Sequence, residues 1–192
     1  HNLFAHNISR NPRFASGAGF NDFRNNVIYN WQHQSVYGGE AHQPGKEQFS
    51  SFAANLVANY YKPGPGTKDG IKSRILDPST RGGEADAGKW WVSENHVAGF
   101  PEVTEDNWKG VAKKDAYFRL DKPWPAMAIK QQTAEESYAD VLESAGCSQP
   151  NRDAIDARIV GEVRTGTATR GQNGFVTNQE EAGGWIEMKP GV

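Results

Sequence analysis

The stretch Asn26-Val27-Ile28-Tyr29-Asn30-Trp31 is one of four similar segments in the first hundred residues. Each segment begins with asparagine, continues with apolar residues and ends near asparagine or glycine, usually beside an aromatic residue. The leading asparagines are 24, 29 and 40 residues apart, which is the irregular repeat of stacked coils interrupted by loops. The pattern therefore predicts a solenoid. The other three segments are Asn2-Leu3-Phe4-Ala5-His6-Asn7, Asn55-Leu56-Val57-Ala58-Asn59-Tyr60 and Asn95-His96-Val97-Ala98-Gly99-Phe100.

The residue types within the repeat favour strands over helices. The apolar runs last only four to six residues, and they contain strand-compatible residues such as Val27, Ile28 and Val57. Asparagine tolerates the left-handed conformation that turns a corner, and stacked asparagines can hydrogen-bond from coil to coil. We therefore predict an all-β fold, a right-handed parallel β-helix. An ordinary β-sandwich with incidental asparagines remains the alternative.

The C-terminal part of the chain has helix-forming composition. A helix is predicted over 134–145, with Thr133 as its N-cap and Glu136 completing a capping box. A second helix is predicted from about 152 to 163, with Asn151 as its cap. We expect these short helices to pack on the solenoid or to cap its end, because an uncovered end would expose strand edges.

The predicted organisation is a run of coils followed by a helical tail. The coils and their loops occupy residues 1–118, and the tail occupies residues 119–192. In a solenoid, loops between coils gather on one face and often build a groove. The predicted loops are 32–48, 62–66 and 77–88.

Charge is distributed unevenly along a chain whose net charge is -2. Residues 1–75 carry eight basic and four acidic side chains, a balance of +4, so the remaining residues carry -6. A basic part beside an acidic part suits a polyanion gripped locally, whereas a nucleic-acid binder is expected to be positive overall. A chance fluctuation of surface charge remains the alternative. We expect a polyanionic partner and no nucleic acid.

Two further features limit the class of protein. The single cysteine, Cys147, excludes an intrachain disulfide within these residues and a cysteine metal cluster. No apolar run approaches the ~20 residues of a membrane-spanning helix, so we expect no membrane partner. Because the chain begins at His1 without an initiator methionine, we expect a processed or truncated product.

Two arginines three residues apart lie in Ser9-Arg10-Asn11-Pro12-Arg13-Phe14. Arginine presents a planar fork of donors that grips a carboxylate in bidentate geometry. Pro12 fixes its own φ and biases the residue before it toward extended conformations. The pair therefore predicts a site for a carboxylate-bearing polymer, which suggests uronic acid.

Several stretches of the chain share the pattern of one known family. They are residues 1–13, 23–31, 37–40, 55–65, 152–160 and the late Gly183-Gly184-Trp185. Together they resemble the C-terminal portion of secreted pectate lyases of polysaccharide lyase family 1. The likeness covers nearly the whole chain.

This resemblance implies a right-handed parallel β-helix in an extracellular enzyme that cleaves α-1,4-linked galacturonan (pectate) by β-elimination. In that chemistry a base removes the C5 proton of a galacturonate, and the C4 glycosidic oxygen leaves. Ca²⁺ on the C6 carboxylate makes the proton more acidic. The family's base is an arginine in an Arg-x-Pro segment, which matches Arg10 and Pro12. The resemblance therefore makes Arg10 the expected catalytic residue.

The chain departs from the family pattern in two ways. Many relatives carry a substrate-binding arginine five residues after the base, where this chain has Ala15, and we expect Arg13 to supply that contact. In the family, the Ca²⁺ carboxylates and a substrate-binding lysine lie on coils before the Arg-x-Pro segment, and only nine residues precede Arg10 here. We therefore expect the Ca²⁺ ligands upstream of this chain, no metal site within it, and an essential partnership with the missing N-terminal coils.

Tyr37 and Lys62 are further candidates for binding polygalacturonate. Both follow predicted strands, where loops can face a groove. A tyrosine ring can stack on a sugar, and a lysine can contact its carboxylate. Structural or solvated roles are the alternative for both residues.

Two other functions remain open at this point. A pectin lyase would act on methyl-esterified pectin without Ca²⁺. A non-catalytic β-helix module would bind acidic polysaccharide without cleaving it.

Overall fold

The computed structural model describes residues 1–184, and within that range the chain forms ten strands and four α-helices. Trp185 of the late glycine motif and the last residues of the predicted tail, up to residue 192, lie outside the described residues. The strands are β1 Leu3–Ala5, β2 Arg13–Phe14, β3 Gly19–Arg24, β4 Val27–Tyr29, β5 Val36–Gly38, β6 Phe52–Val57, β7 Tyr60–Lys62, β8 Leu76–Pro78, β9 Lys89–Ser93 and β10 His96–Val97. The α-helices are α1 Pro101–Glu105, α2 Ala134–Ser144, α3 Ala154–Thr165 and α4 Gln179–Ala182. Short 3-10 helices cover Asp69–Ile71, Gly83–Asp86, Asn107–Gly110 and Ala116–Phe118.

Three parallel sheets are built by strands that recur in the same order along the chain. Sheet A contains β1, β4, β7 and β10, sheet B contains β2, β5 and β8, and sheet C contains β3, β6 and β9. The chain thus visits sheets A, B and C in turn, and each new coil adds a parallel neighbour to each sheet. This arrangement fits the predicted parallel β-helix.

Apolar side chains from all three sheets fill the interior. Ile28 of sheet A, Leu76 of sheet B and Trp90 of sheet C are fully buried and belong to one cluster. Successive side chains of a strand point to opposite faces. Val27 and Tyr29, on either side of Ile28, therefore point out of the coil and belong to a second buried cluster.

A ladder of asparagines runs along the turn that leads from sheet C to sheet A. The side-chain amide of Asn2 donates to Oδ1 of Asn26 at 2.8 Å, and that of Asn26 donates to Asn59 at 2.9 Å. The ladder continues from Asn59 to Asn95 at 2.9 Å and from Asn95 to Asn107 at 3.0 Å. The predicted coil-to-coil hydrogen bonding of asparagines is confirmed.

The repeat predicted from Asn55 was wrong in its register. Asn55 lies inside β6, opposite Asp22 in the neighbouring strand, and Asn59 occupies the ladder. Both asparagines precede apolar residues, but only Asn59 follows a residue in the left-handed conformation, Ala58 with a φ of 50°. Asn25, the residue before the ladder residue Asn26, has the same left-handed conformation, with a φ of 55°. The turn geometry therefore selects the ladder position.

Two strands of sheet B lie where the sequence predicted loops, so the predicted loop bounds were wrong. β5 lies inside the predicted loop 32–48, and β8 overlaps the start of the predicted loop 77–88. Each of these strands is only three residues long, so neither contains an apolar run that sequence reading could recognise. The loop segments that follow β5 and β8 remain, and they lie beside the candidate site.

The helix α2 confirms the predicted capping box, while the cap of α3 differs from the prediction. Thr133 accepts a hydrogen bond from the main-chain N–H of Glu136, whose side chain reaches back to the Thr133 N–H. The cap of α3 is Asp153 and not Asn151, because the Asp153 carboxylate accepts from two free N–H groups of the first turn. A carboxylate is also favoured there by the positive end of the helix dipole.

The helices α2 and α3 pack against the outer face of sheet A. Val141 of α2 and Val163 of α3 share a buried cluster with Val27 and Tyr29 of β4. The Tyr29 hydroxyl donates to the carbonyl of Thr167 at 2.6 Å, and burial raises the pKa of this tyrosine. The prediction that the helices pack on the solenoid is confirmed.

The segment 119–132 crosses the outer face of sheet C and leads to α2. Asn55 binds both the main-chain N–H and the carbonyl of Trp124, at 2.8 and 2.9 Å. The indole ring stacks on Phe20 with the ring centroids 3.8 Å apart. Within residues 1–184, no helix is both long and apolar enough to cross a membrane. The predicted division between residues 118 and 119 stays a prediction.

Candidate functional site

Arg10 lies in the short loop between β1 and β2, which is anchored to the next coil by Asn11. The Asn11 side chain is fully buried and donates to the carbonyl of Gln34 at 2.8 Å, and its Oδ1 accepts from the Asn7 amide at 3.1 Å. The Asn11 N–H also donates to the carbonyl of Ser35 at 3.2 Å. These contacts fix the loop while the Arg10 side chain stays exposed to solvent.

Arg10 has an unusual backbone conformation. Its φ is 68°, in the left-handed region that disfavours residues with a Cβ atom. Such a conformation costs about 1–2 kcal/mol for an ordinary L-residue. Because the buried neighbour Asn11 holds the loop on one side, the surrounding structure imposes this conformation on Arg10.

Arg13 lies in β2 on the outward face of sheet B. It is in register with Tyr37 of β5, and the Arg13 guanidinium lies over the tyrosine ring, 5.7 Å from its centroid. An arginine over an aromatic face gains a favourable cation–π interaction. The next residue, Phe14, points inward and packs edge-on against Trp90. The strand alternation thus places Arg13 and Tyr37 side by side on one face.

Glu40 is a residue of this site that sequence reading did not select. Its carboxylate is buried, and each of its two oxygens lies 3.5 Å from Nη2 of Arg13. The Ser16 hydroxyl donates to Glu40 Oε2 at 2.8 Å, and Nη2 of Arg81 lies 3.8 Å from the same oxygen. Glu40 therefore holds two arginines at the same end of sheet B.

The turn before Glu40 requires glycine. Gly39 has a φ of 74°, and a Cβ atom there would lie 2.5 Å from the ring of Trp90. The chain can therefore pass close over the core only at a residue without a side chain. The sequence signal that could have revealed Glu40 is its position directly after the glycine pair that ends β5.

Arg81 comes from the loop after β8, which Asp86 holds in place. Asp86 Oδ1 accepts from the His42 N–H at 2.8 Å, and Oδ2 accepts from the Arg81 N–H at 3.0 Å. Burial alone would raise the pKa of Asp86, but these hydrogen bonds outweigh it and hold the pKa below its usual range. The fixed loop lets the Arg81 guanidinium donate to Ser16 Oγ at 2.6 Å.

The charges at this end of sheet B do not cancel. Arg13 and Arg81 contact Glu40, and Arg81 also lies 3.6 Å from Asp86. Arg10 adds an exposed guanidinium from the neighbouring loop. The outward edge of the face, where Arg10 and Arg13 lie, is therefore suited to an anionic ligand, and its donors favour a carboxylate.

The structure does not bring Lys62 together with Arg10 and Arg13. Lys62 lies in β7 of sheet A, where its Nζ donates to the carbonyl of Arg164 at 3.0 Å at the end of α3. Its ammonium also lies 5.7 Å from the ring centroid of Tyr138, and burial lowers its pKa. Its contacts are with the helical tail, and its predicted role in substrate binding stays a prediction.

His6, four residues before Arg10, joins the loop to the tail helices. Its Nε2 lies 2.8 Å from the buried carboxylate of Glu162, and its Nδ1 lies 2.9 Å from the Asn30 amide. Burial lowers the pKa of His6 despite the nearby carboxylate. Burial would raise the pKa of Glu162, but hydrogen bonds from Thr169 and Arg158 lower it overall. His6 is thus a structural residue that secures one end of the loop.

Residues 1–184 contain no group of three histidine, cysteine, aspartate or glutamate side chains that could hold a metal ion. The calcium ligands implied by the sequence resemblance, expected upstream of this chain, stay a prediction.

These features give sheet B an outward face rich in arginine, on a fold that fits a parallel β-helix. The chain is 30% identical over 193 residues to a probable pectate lyase C of Aspergillus fumigatus, with 95% of the chain and 39% of the relative covered. It is 29% identical over 192 residues to the probable pectate lyase C of Aspergillus terreus, with the same coverage. It is 28% identical over 200 residues to the probable pectate lyase C of Emericella nidulans, with 99% of the chain and 40% of the relative covered. No family model matches the chain.

The chain spans about two fifths of the length of these curated relatives. Several such relatives match nearly all of the chain, and on these matches the chain is assigned to the pectate lyase family.

Proposed function

We propose that the protein containing this chain is a polysaccharide lyase that cleaves α-1,4-linked galacturonan by β-elimination, with Arg10 as the base and Arg13 as a substrate contact. The observation that carries the proposal is the exposed, conformationally strained Arg10 in the loop that leads into β2, the strand whose Arg13 contacts Glu40 and Tyr37. Strained residues held by their surroundings are enriched at active sites. The relatives named probable pectate lyase support lyase chemistry on a polysaccharide.

The proposed step moves one proton and breaks one bond to oxygen. The neutral guanidine of Arg10 takes the proton from the carbon beside the uronate carboxylate. The electron pair left on that carbon forms a double bond, and the glycosidic oxygen leaves and is protonated by water. Arg13 pairs with a uronate carboxylate and holds the sugar next to Arg10. Because a guanidinium is protonated at neutral pH, the reaction is expected to require alkaline conditions.

The proposal places the calcium ligands on coils that precede Arg10 in the whole enzyme. Support comes from β1, β2 and β3, which each pair with another strand on one side only within residues 1–184. A cavity of about 540 Å³ lies beside β1, between that strand and α2 and α3. Further coils would extend all three sheets at these open edges. We also infer a right-handed winding, which parallel crossover connections strongly favour.

The test is turnover of polygalacturonate by the complete enzyme, followed by the ultraviolet absorbance of the unsaturated product. The Arg10→Gln variant should lose nearly all turnover while its fold and its binding of substrate persist. Unchanged turnover in that variant would remove Arg10 from the mechanism.

The choice of substrate separates the alternatives. A pectate lyase should prefer polygalacturonate and lose activity with a chelator, whereas a pectin lyase should prefer methyl-esterified pectin and be insensitive to the chelator. Binding without any unsaturated product, under alkaline conditions and with calcium, would identify a non-catalytic polysaccharide-binding module.

A further inference from the structure

A second charged cluster lies on the same outward face of sheet B, two strands away from Arg13. Asp77 of β8 is in register with Tyr37 of β5, which is in register with Arg13 of β2. Neighbouring strands lie about 4.8 Å apart, so the backbones at Arg13 and Asp77 are separated by about 10 Å. The three residues form one row, with the tyrosine between two charged positions.

Two cations flank the single carboxylate at the far end of this row. Nη1 of Arg74 lies 3.9 Å from Asp77 Oδ2, and Nζ of Lys113 lies 3.4 Å from Asp77 Oδ1. The Gln34 amide donates to Asp77 Oδ2 at 3.1 Å. The cluster of Arg74, Lys113 and Asp77 therefore keeps one net positive charge on the face that carries Tyr37.

Arg74 and Lys113 retain donors that could bind a ligand. The contact of Arg74 with Asp77 is long, at 3.9 Å, so it leaves most of the guanidinium donors available. Nζ of Lys113 also donates to the carbonyl of Pro78 at 2.8 Å, and about half of its side chain is exposed. An ammonium group has three donors, so at least one remains for an external anion.

We propose that Arg74 and Lys113 form a second anion-binding site, which engages a carboxylate of the same polyuronate that Arg13 binds. The proposal rests on the proposed function for the nature of the ligand. A long oligomer can lie across Tyr37 and contact both charged positions at once, whereas a single galacturonate bound at Arg13 is too short to reach Asp77. The second contact is then intramolecular, so it adds affinity only for the longer ligand.

The experiment measures binding of monomeric galacturonate and of a long oligogalacturonate to the complete protein by calorimetry at low ionic strength, with a chelator present to prevent cleavage. Replacing Arg74 and Lys113 together by glutamine should weaken binding of the long oligomer by roughly fivefold to thirtyfold. Binding of monomeric galacturonate should change by less than about twofold. The matched control replaces the exposed Lys122 and Lys130, in the segment over sheet C, by glutamine, which removes the same charge away from the row and should leave both affinities unchanged.

A second variant, Asp77→Asn, should change the affinity for the long oligomer in the opposite direction. It removes the carboxylate that competes for Arg74 and Lys113, so binding of the long oligomer should become roughly threefold to tenfold tighter. A cluster that only stabilises the fold would not strengthen binding when its central carboxylate is removed. Circular dichroism would check that each variant is folded.

Three results would overturn the inference: equal losses for both ligands in the double variant, an equal loss in the lysine control, or weaker binding by Asp77→Asn. If the unaltered protein binds the long oligomer and the double variant binds it equally well, this inference alone fails. If the unaltered protein binds no uronate at all, the proposed function fails and the inference fails with it.

Discussion

Replacing Asn59 by alanine should strongly destabilise the chain, because its side chain joins three coils of the asparagine ladder. Its Oδ1 accepts from the main-chain N–H and the side-chain amide of Asn26, at 3.0 and 2.9 Å. Its amide donates to Asn95 Oδ1 at 2.9 Å and to the carbonyl of Phe23 at 3.0 Å. Asn59 itself is fully buried.

The magnitude follows from these four hydrogen bonds. Each contributes about 1 kcal/mol net, and a buried partner left unsatisfied costs more than that. We therefore expect Asn59→Ala to lower the free energy of unfolding by about 4 kcal/mol, which is a large fraction of the typical 5–15 kcal/mol. Asn55→Ala removes only the two bonds to Trp124, whose main chain lies near the surface where water can replace them. It should cost about 1–2 kcal/mol.

Urea denaturation of the two variants and the unaltered chain measures this difference, with equal slopes required for a direct comparison of midpoints. The two substitutions are chemically identical and four residues apart, so each serves as the control for the other. A loss for Asn55→Ala equal to or larger than that for Asn59→Ala would refute the assignment of the ladder.

Three further predictions concern Arg10, Lys62 and the pair His6–Glu162. Arg10→Gly should be about 0.5–1 kcal/mol more stable than Arg10→Ala in thermal denaturation, because glycine accepts a φ of 68° without strain; equal stability would mean that the loop relaxes. Lys62→Met should lower the free energy of unfolding by about 1 kcal/mol through the lost bond to the Arg164 carbonyl, and an unchanged value would contradict this structural role. Calorimetry of uronate binding by the same variant tests the predicted role of Lys62 in substrate binding. The pKa values of His6 and Glu162 are both lowered from their ordinary values of 6.5 and 4.5, so the folded chain binds fewer protons than the unfolded chain. Urea midpoints should therefore fall as the pH drops below about 6.5 and further below about 4.5, and His6→Gln should remove the first part of that fall.

The sequence predicts the ladder and the sheets that flank it because these depend on local residue types. Asparagine at a corner followed by β-favouring residues identifies the turn into sheet A in three of the coils. The error at Asn55 has a local cause as well, since two asparagines four residues apart both precede apolar residues. Only the backbone conformation of Ala58 distinguishes them, and this alanine carries no sequence signal for a left-handed φ.

The candidate site is less predictable because it is assembled across coils. Arg10 and Arg13 are visible as a local motif, but Glu40 and Arg81 come from loops that are far apart in the sequence. Their meeting depends on the register of β2, β5 and β8, and each of these strands is too short to be recognised. The position of Lys62 depends in the same way on which sheet its strand joins. The pairing register of these short strands cannot be read from a single sequence.

The contrast between His6 and Arg10 gives the strongest physical reason to associate this loop with function. Both residues adopt a left-handed conformation, with φ values of 57° and 68°. At His6 the cost is offset by a contact with the buried Glu162 carboxylate, which a different residue type would not make. At Arg10 the side chain is exposed to solvent, so a glycine would serve the fold better. An exposed guanidinium that the fold does not use, at a strained position three residues before Arg13, fits a binding or catalytic role.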